Sequence, residues 1–85
     1  MNLKEKIIKL ALIAEKRKCQ LYYEFDLSGE VKYIVILENQ KQVAILNFTN
    51  NPLIEVFFNY ENPKIRTDVY VFITQIVNEF KMVSQ

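Results

Sequence analysis

The spacing of hydrophobic and polar residues changes twice along the chain. Near the N-terminus, apolar residues recur at helical spacing: Leu3, Ile7, Leu10 and Ala14. From Leu21 onward the period becomes two, in four runs rich in β-branched and aromatic residues: 21–26, 31–38, 41–48 and 53–60. A helical stripe then returns and continues to about residue 83. The pattern predicts one α+β domain over 1–85, of order α-β-β-β-β-α, with helices at about 3–18 and 64–83; Thr67 offers a later start for the second helix.

Short connections between the β-prone runs predict a four-stranded antiparallel meander. The only glycine, Gly29, stands where a three-residue hairpin loop needs a positive φ, and Asn39-Gln40 forms a two-residue connection. In the first hairpin the expected cross-strand pairs are Asp26 with Glu30, Phe25 with Val31, Tyr23 with Tyr33 and Glu24 with Lys32. In the second they are Glu38 with Lys41, Ile36 with Val43 and Ile34 with Ile45.

This register divides the sheet into two faces. The core face collects Leu21, Tyr23, Phe25, Val31, Tyr33, Val35, Leu37, Ala44, Leu46, Phe48, Ile54, Val56, Phe58 and Tyr60. The second face has polar margins around a group that we call the apolar island: Tyr22, Ile34, Ile36, Val43, Ile45 and Phe57. Three explanations remain open. The N-terminal helix covers the island, both helices pack on the core face and the island is buried in a homodimer, or the island binds a different protein.

The fourth strand is an edge of the predicted meander. Its apolar, weakly charged sequence invites strand addition by a second copy or by a partner peptide, and the candidate site residues of this edge strand are Leu53, Glu55, Phe57 and Asn59. The alternatives are that a helix or the N-terminal segment covers this edge, or that the strand order differs from a meander.

Charge is balanced overall but unevenly distributed. The chain has 11 Lys+Arg and 10 Asp+Glu, for a net charge of +1. Cations nevertheless gather on one side of the N-terminal helix in a basic face: Lys6, Lys9, Lys16 and Arg17. Such a face is typical of phosphate contacts in a nucleic-acid binder, or of a solvated helix surface that steers an acidic protein partner.

The residue inventory argues against catalysis. The chain has no His, one Cys and one Gly, which removes the commonest general base, a zinc cluster and a glycine-rich phosphate loop. Cys19 is expected to be a small apolar residue at the helix-to-strand junction, although basic neighbours offer a way to lower its pKa. Asp26 with Glu30-Val31-Lys32 only superficially resembles a nuclease site. We predict no catalytic residue, no metal and no cofactor.

The sequence thus favours a non-catalytic protein-protein interaction module, an adaptor, regulator or inhibitor that acts as a homodimer. The partner is another protein or a second copy, with no membrane and no small-molecule substrate inferred. The alternative is a nucleic-acid-binding protein that uses the basic face. One cysteine cannot form an internal disulfide, so a cytoplasmic location is expected. Ile, Lys and Asn make up 27 of the 85 residues, a usage typical of AT-rich bacterial or phage genes.

Overall fold

A computed structural model describes residues 3–50, 53–59 and 65–83. Its elements are α1 (Leu3–Lys16), β1 (Gln20–Phe25), β2 (Val31–Glu38), β3 (Lys41–Asn47), β4 (Glu55–Phe58) and α2 (Thr67–Val83). The predicted α+β fold is confirmed. The second helix begins at Thr67, the later of the two expected starts, while residues 60–64 lie outside the described part of the chain.

The strands form one antiparallel sheet in the order β1-β2-β3-β4, so the meander is confirmed and the alternative strand order is wrong. Both hairpin turns use positive φ, which was expected for Gly29 and is a new finding for the two-residue connection Asn39-Gln40. Gly29 has φ 87°, and Asn39 and Gln40 have φ 53° and 64°, the combination that a type I′ turn requires. Asp26 stabilises the first turn because its carboxylate accepts hydrogen bonds from the backbone N–H groups of Ser28 and Glu30.

Two β-bulges shift the register away from the expected one. The turn-proximal pairs Phe25 with Val31 and Glu38 with Lys41 are present, and the Asp26 N–H donates to the Glu30 carbonyl. Beyond them one residue is inserted in each hairpin, Lys32 in the first and Val43 in the second. The observed pairs are Tyr23 with Ile34, Glu24 with Tyr33, Ile34 with Leu46, Ile36 with Ala44 and Val35 with Ile45. The four expected pairings farther from the turns are therefore wrong.

Beyond the inserted Lys32 the expected faces of β2 are reversed, whereas Val31 lies in the core as expected. A shift of one residue moves every side chain of a strand to the other face of the sheet. Ile34, Ile36 and Val43 are fully buried at 0% exposure, so their assignment to an exposed island is wrong. They join Ala44, Leu46 and the buried stripes of both helices in one hydrophobic core. Val35, expected in that core, pairs with Ile45 on the opposite face.

Both helices pack on the same face of the sheet, side by side and antiparallel. Ile7, Leu10 and Ala14 of α1 share the core with four residues of α2: Val69, Phe72, Ile73 and Ile76. Ring contacts place α2 over β3 and β4, since Phe80 lies 4.9 Å from Phe48 and Tyr70 lies 5.3 Å from Phe58 between ring centroids. The explanation in which each helix covers one face is wrong.

Polar contacts join the two helices at both ends. Lys6 is buried, donates to the Glu79 carbonyl at 3.2 Å and places its ammonium 5.4 Å from the centre of the Phe80 ring. At the other end the Arg66 guanidinium donates to the Arg17 carbonyl, and Arg17 donates to the Asp68 carbonyl at 3.2 Å. The Arg66 Nε also lies 3.2 Å from a Glu38 carboxylate oxygen, an ion pair without hydrogen-bond geometry. Among the described helices, none is long and apolar enough to cross a membrane.

Candidate protein-binding surface

The sheet face that points away from the helices, which we call the open face, carries one apolar residue from each strand in a single line. Tyr22 pairs with Val35, Val35 with Ile45, and Ile45 with Phe57. This transverse row is exposed most at its ends, 69% for Tyr22 and 53% for Phe57, and half-buried in the middle. Because neighbouring strands lie about 4.8 Å apart, the row spans about 14 Å between the two edge strands.

A second line of side chains on the open face is polar. It consists of Glu24, Tyr33, Asn47 and Glu55, again paired strand by strand, and we call it the acidic row. The Tyr33 hydroxyl donates to the Glu24 carboxylate. At the other end the side-chain amides of Asn47 and Asn50 both donate to Glu55 Oε1, at 3.1 and 2.6 Å. These bonds fix two carboxylates along one side of the transverse row.

The Tyr33–Glu24 contact predicts a specific alkaline titration. The hydrogen bond to Glu24 is the largest cause of a Tyr33 pKa raised above its ordinary value of 10.0. A raised folded-state pKa means that the bond contributes stability below pH 10, which is lost as the pH rises through the folded-state pKa. In a 295 nm absorbance titration of the folded protein, Tyr33→Phe should remove a step above pH 10. Glu24→Gln is the control and should move that step to lower pH. If the step that Tyr33→Phe removes lies at or below pH 10, the contact is contradicted.

The structure divides the predicted apolar island. Tyr22, Ile45 and Phe57 lie on the open face as expected, whereas Ile34, Ile36 and Val43 lie under the helices. Val35 belongs to the surface but was expected in the core. The β2 sequence Tyr33-Ile-Val-Ile-Leu37 is apolar at every position, so alternation gives no indication of which residues face the core.

The predicted basic face is largely engaged within the fold. Lys6 and Arg17 donate to α2 carbonyls, and Lys9 forms an ion pair with Glu79 at 3.1 Å, which lowers the pKa of that carboxyl. Lys16 is exposed at the end of α1. The four cations therefore do not form one open patch, because α2 packs against the side of α1 that three of them occupy.

The predicted β4 edge is at the border of the sheet, and its four named residues have different environments. Leu53 is 61% exposed before the strand begins, and Glu55 is held in the acidic row. Phe57 ends the transverse row. The Asn59 backbone N–H donates to the Val43 carbonyl at 2.9 Å, and its side-chain amide donates to the Gln42 carbonyl, also at 2.9 Å.

The residues considered for chemistry lie at a buried helix-to-strand junction, in a turn and in a bulge. Cys19 is buried and its pKa is raised, mainly by that burial, with Arg66 opposing the rise. Asp26 is held as the acceptor of the first turn, and its hydrogen bond from Ser28 is the largest cause of its lowered pKa. Lys32 is the inserted residue of the first bulge. Within residues 3–50, 53–59 and 65–83, no group of three His, Cys, Asp or Glu side chains is arranged to hold a metal ion.

Comparisons with protein-family models, with curated proteins and with solved structures gave no match to this chain. The inference of function therefore rests on the geometry of the surface.

Proposed function

We propose that this chain is a non-catalytic protein-binding module, an adaptor, regulator or inhibitor, and that it binds its partner through the open face. The observation that carries the proposal is the transverse row, four apolar side chains in register across all strands with neither described helix packed on them. A sheet face that only meets water is expected to be polar throughout.

The composition of the row supports a binding role. Aromatic residues are enriched at the centres of protein interfaces, and β-branched residues in strands lose little rotamer freedom when covered. Tyr22 and Phe57 supply exposed ring surface, and Val35 and Ile45 form a rigid floor between them. The surface thus offers apolar area at low entropic cost.

The acidic row indicates the chemistry of the partner. Glu24 and Glu55 lie along one side of the transverse row, Glu24 exposed and Glu55 half-buried. A partner with an apolar centre and Lys or Arg on the corresponding side would match the apolar and electrostatic pattern. Like-charged acidic surfaces would be disfavoured.

Affinity capture with matched variants tests this proposal. The immobilised protein is expected to retain a stoichiometric protein from a nuclease-treated bacterial lysate. The double variant Ile45→Thr with Phe57→Lys should reduce retention at least about tenfold, because it removes the centre and one end of the row. Thr keeps the β-branched shape at the half-buried position, so the strand should remain intact.

The control variant is Val71→Lys, which places the same charge at a 45% exposed apolar position on α2, on the other side of the molecule. It should retain the partner as the unmodified protein does. Equal retention by the open-face variant and the unmodified protein would overturn the proposal. Material that is retained from an untreated lysate but not from the nuclease-treated one, and that is lost on Lys16→Glu substitution, would favour the nucleic-acid alternative instead.

A further inference from the structure

β1 is the second edge of the sheet and has little of the protection usual at exposed edges. Natural edges carry charges, prolines or bulges that prevent pairing with another strand. The six residues Gln20–Phe25 include one charge and no proline, and the nearest bulge residue, Lys32, is inserted in β2 instead. Five of the six are exposed.

Apolar side chains of both layers meet along this edge. Tyr23 and Phe25 of β1 are 44% and 38% exposed, and on α1 the neighbouring Ile8 and Leu12 are 54% and 57% exposed. A groove of about 380 Å³ between the two elements is lined by Lys4, Ile7, Ile8, Tyr23, Phe25 and Gly29. Among the described residues, no strand pairs with the outer side of β1, and apolar side chains of the neighbouring α1 are exposed at the same place.

A second copy of this chain matches the edge in register. Two β1 strands related by a two-fold axis pair antiparallel, and the residues that face each other must share a sheet face. A two-fold axis through Tyr22 satisfies this condition, placing Gln20 opposite Glu24 and Leu21 opposite Tyr23 of the second copy. No like charges face each other in this register. Two residues farther along, Lys18 lies opposite the carboxylate of Asp26, both exposed.

The same axis brings the two α1 helices together. Lys4 at the start of α1 lines one groove together with Phe25 and Gly29. Ala11 and Glu15 line a second groove together with Gln20 at the start of β1. The middle of α1 therefore lies level with Tyr22. A two-fold rotation sets Ile8 against Leu12 of the second copy, and Lys4 near Glu15, an attractive pair. The same two-fold axis therefore pairs β1 with β1 and α1 with α1 of the second copy.

We infer that this chain forms a homodimer through β1 and α1, in a continuous eight-stranded sheet. This interface replaces the one expected from the apolar island and leaves the open face available. The two transverse rows join at Tyr22, so the dimer presents one row of eight apolar side chains. The inference extends the proposed function by doubling its surface, but it does not depend on that function.

The mass in solution is the first test. Sedimentation equilibrium should give about 20 kDa, twice the 10.1 kDa of one chain. Ile8→Lys with Leu12→Lys should raise the dimer Kd at least about 30-fold, because both charges enter the centre of the interface in both copies. Phe57→Lys, on the open face at the far edge, should leave the mass unchanged. A monomer at millimolar concentration, or a dimer that Phe57→Lys dissociates and the α1 variant does not, would overturn the inference.

Crosslinking at an exposed position tests the register of the paired β1 strands. Opposed residues of antiparallel strands have Cα atoms about 4.5–5.5 Å apart, within disulfide range. In a Cys19→Ala background, Tyr22→Cys should form a disulfide-linked dimer when its two thiols are oxidised by diamide. Phe57→Cys, the matched control, should not. Equal crosslinking of both variants would contradict the β1 pairing. Dimerisation by this test together with failed partner capture would reject the proposed function and leave the dimer intact.

Discussion

Substituting Ile36 with Glu is expected to unfold the protein. Ile36 is 0% exposed in the core to which both helices contribute, so the new carboxylate has no access to water. Burying an unpaired charge costs several kcal/mol, and a small domain is stable by about 5–10 kcal/mol in total. Far-ultraviolet circular dichroism should show loss of the native spectrum at neutral pH, and the thermal transition should disappear.

The neighbouring substitution Val35→Glu is the matched control. It places the same side chain one residue earlier on the same strand, but on the open face, where a carboxylate reaches solvent. This variant should stay folded with a cooperative transition. The pair tests the observed register of β2, because the register without the bulges at Lys32 and Val43 puts Val35 in the core and Ile36 on the other face. Unfolding of Val35→Glu with a native Ile36→Glu would reject the observed register.

Phe72→Ala is expected to produce the largest loss of stability among substitutions that only remove atoms. Phe72 has the largest volume among the fully buried side chains and lies on α2 in the core. Truncation of a buried Phe to Ala costs about 3–5 kcal/mol through lost burial and the cavity left behind. For a domain of this size, this predicts a Tm lower by at least about 12 °C.

Urea unfolding with an unchanged m-value would confirm that the loss arises in the folded state. Val71→Ala is the control on the same helix. Val71 is 45% exposed, and Ala has the higher helix propensity, so its free energy of unfolding should change by less than about 1 kcal/mol. A loss for Phe72→Ala no larger than that of the control would contradict the packing of α2 on the sheet.

The elements and turns of this fold follow from the sequence because they depend on local chemistry. The change from helical to alternating spacing locates α1 and the four strands, and Gly29 and Asn39-Gln40 determine where the first two hairpins turn. The turn-proximal pair Glu38 with Lys41 follows from the two-residue connection. None of these inferences requires knowledge of the rest of the molecule.

Which residues of β2 and β3 face the core does not follow from the sequence, because a bulge depends on tertiary packing. In β3 the run Val43-Ala-Ile-Leu46 is apolar throughout, as is the middle of β2, so either register buries hydrophobic residues. Because Val43 is the inserted residue of the bulge, the consecutive residues Val43 and Ala44 are both buried. The sequence therefore indicates an apolar second face and places Tyr22, Ile45 and Phe57 on it. It does not place Val35 there. The β1 edge was predictable as well, since a meander has two edges.

The position of α2 after all four strands in the chain has a consequence for folding during synthesis on the ribosome. The core face of the sheet is covered by α2, which is made after all four strands, at a rate of about 5–20 residues per second in general. For the seconds before Thr67–Val83 emerges, Ile34, Ile36 and Leu46 have no helix α2 to cover them. A nascent chain at this stage exposes hydrophobic residues that α2 covers in the folded protein, the kind of surface that chaperones bind. The Arg66 contacts to Arg17 and Glu38 lie directly before Thr67, where α2 begins.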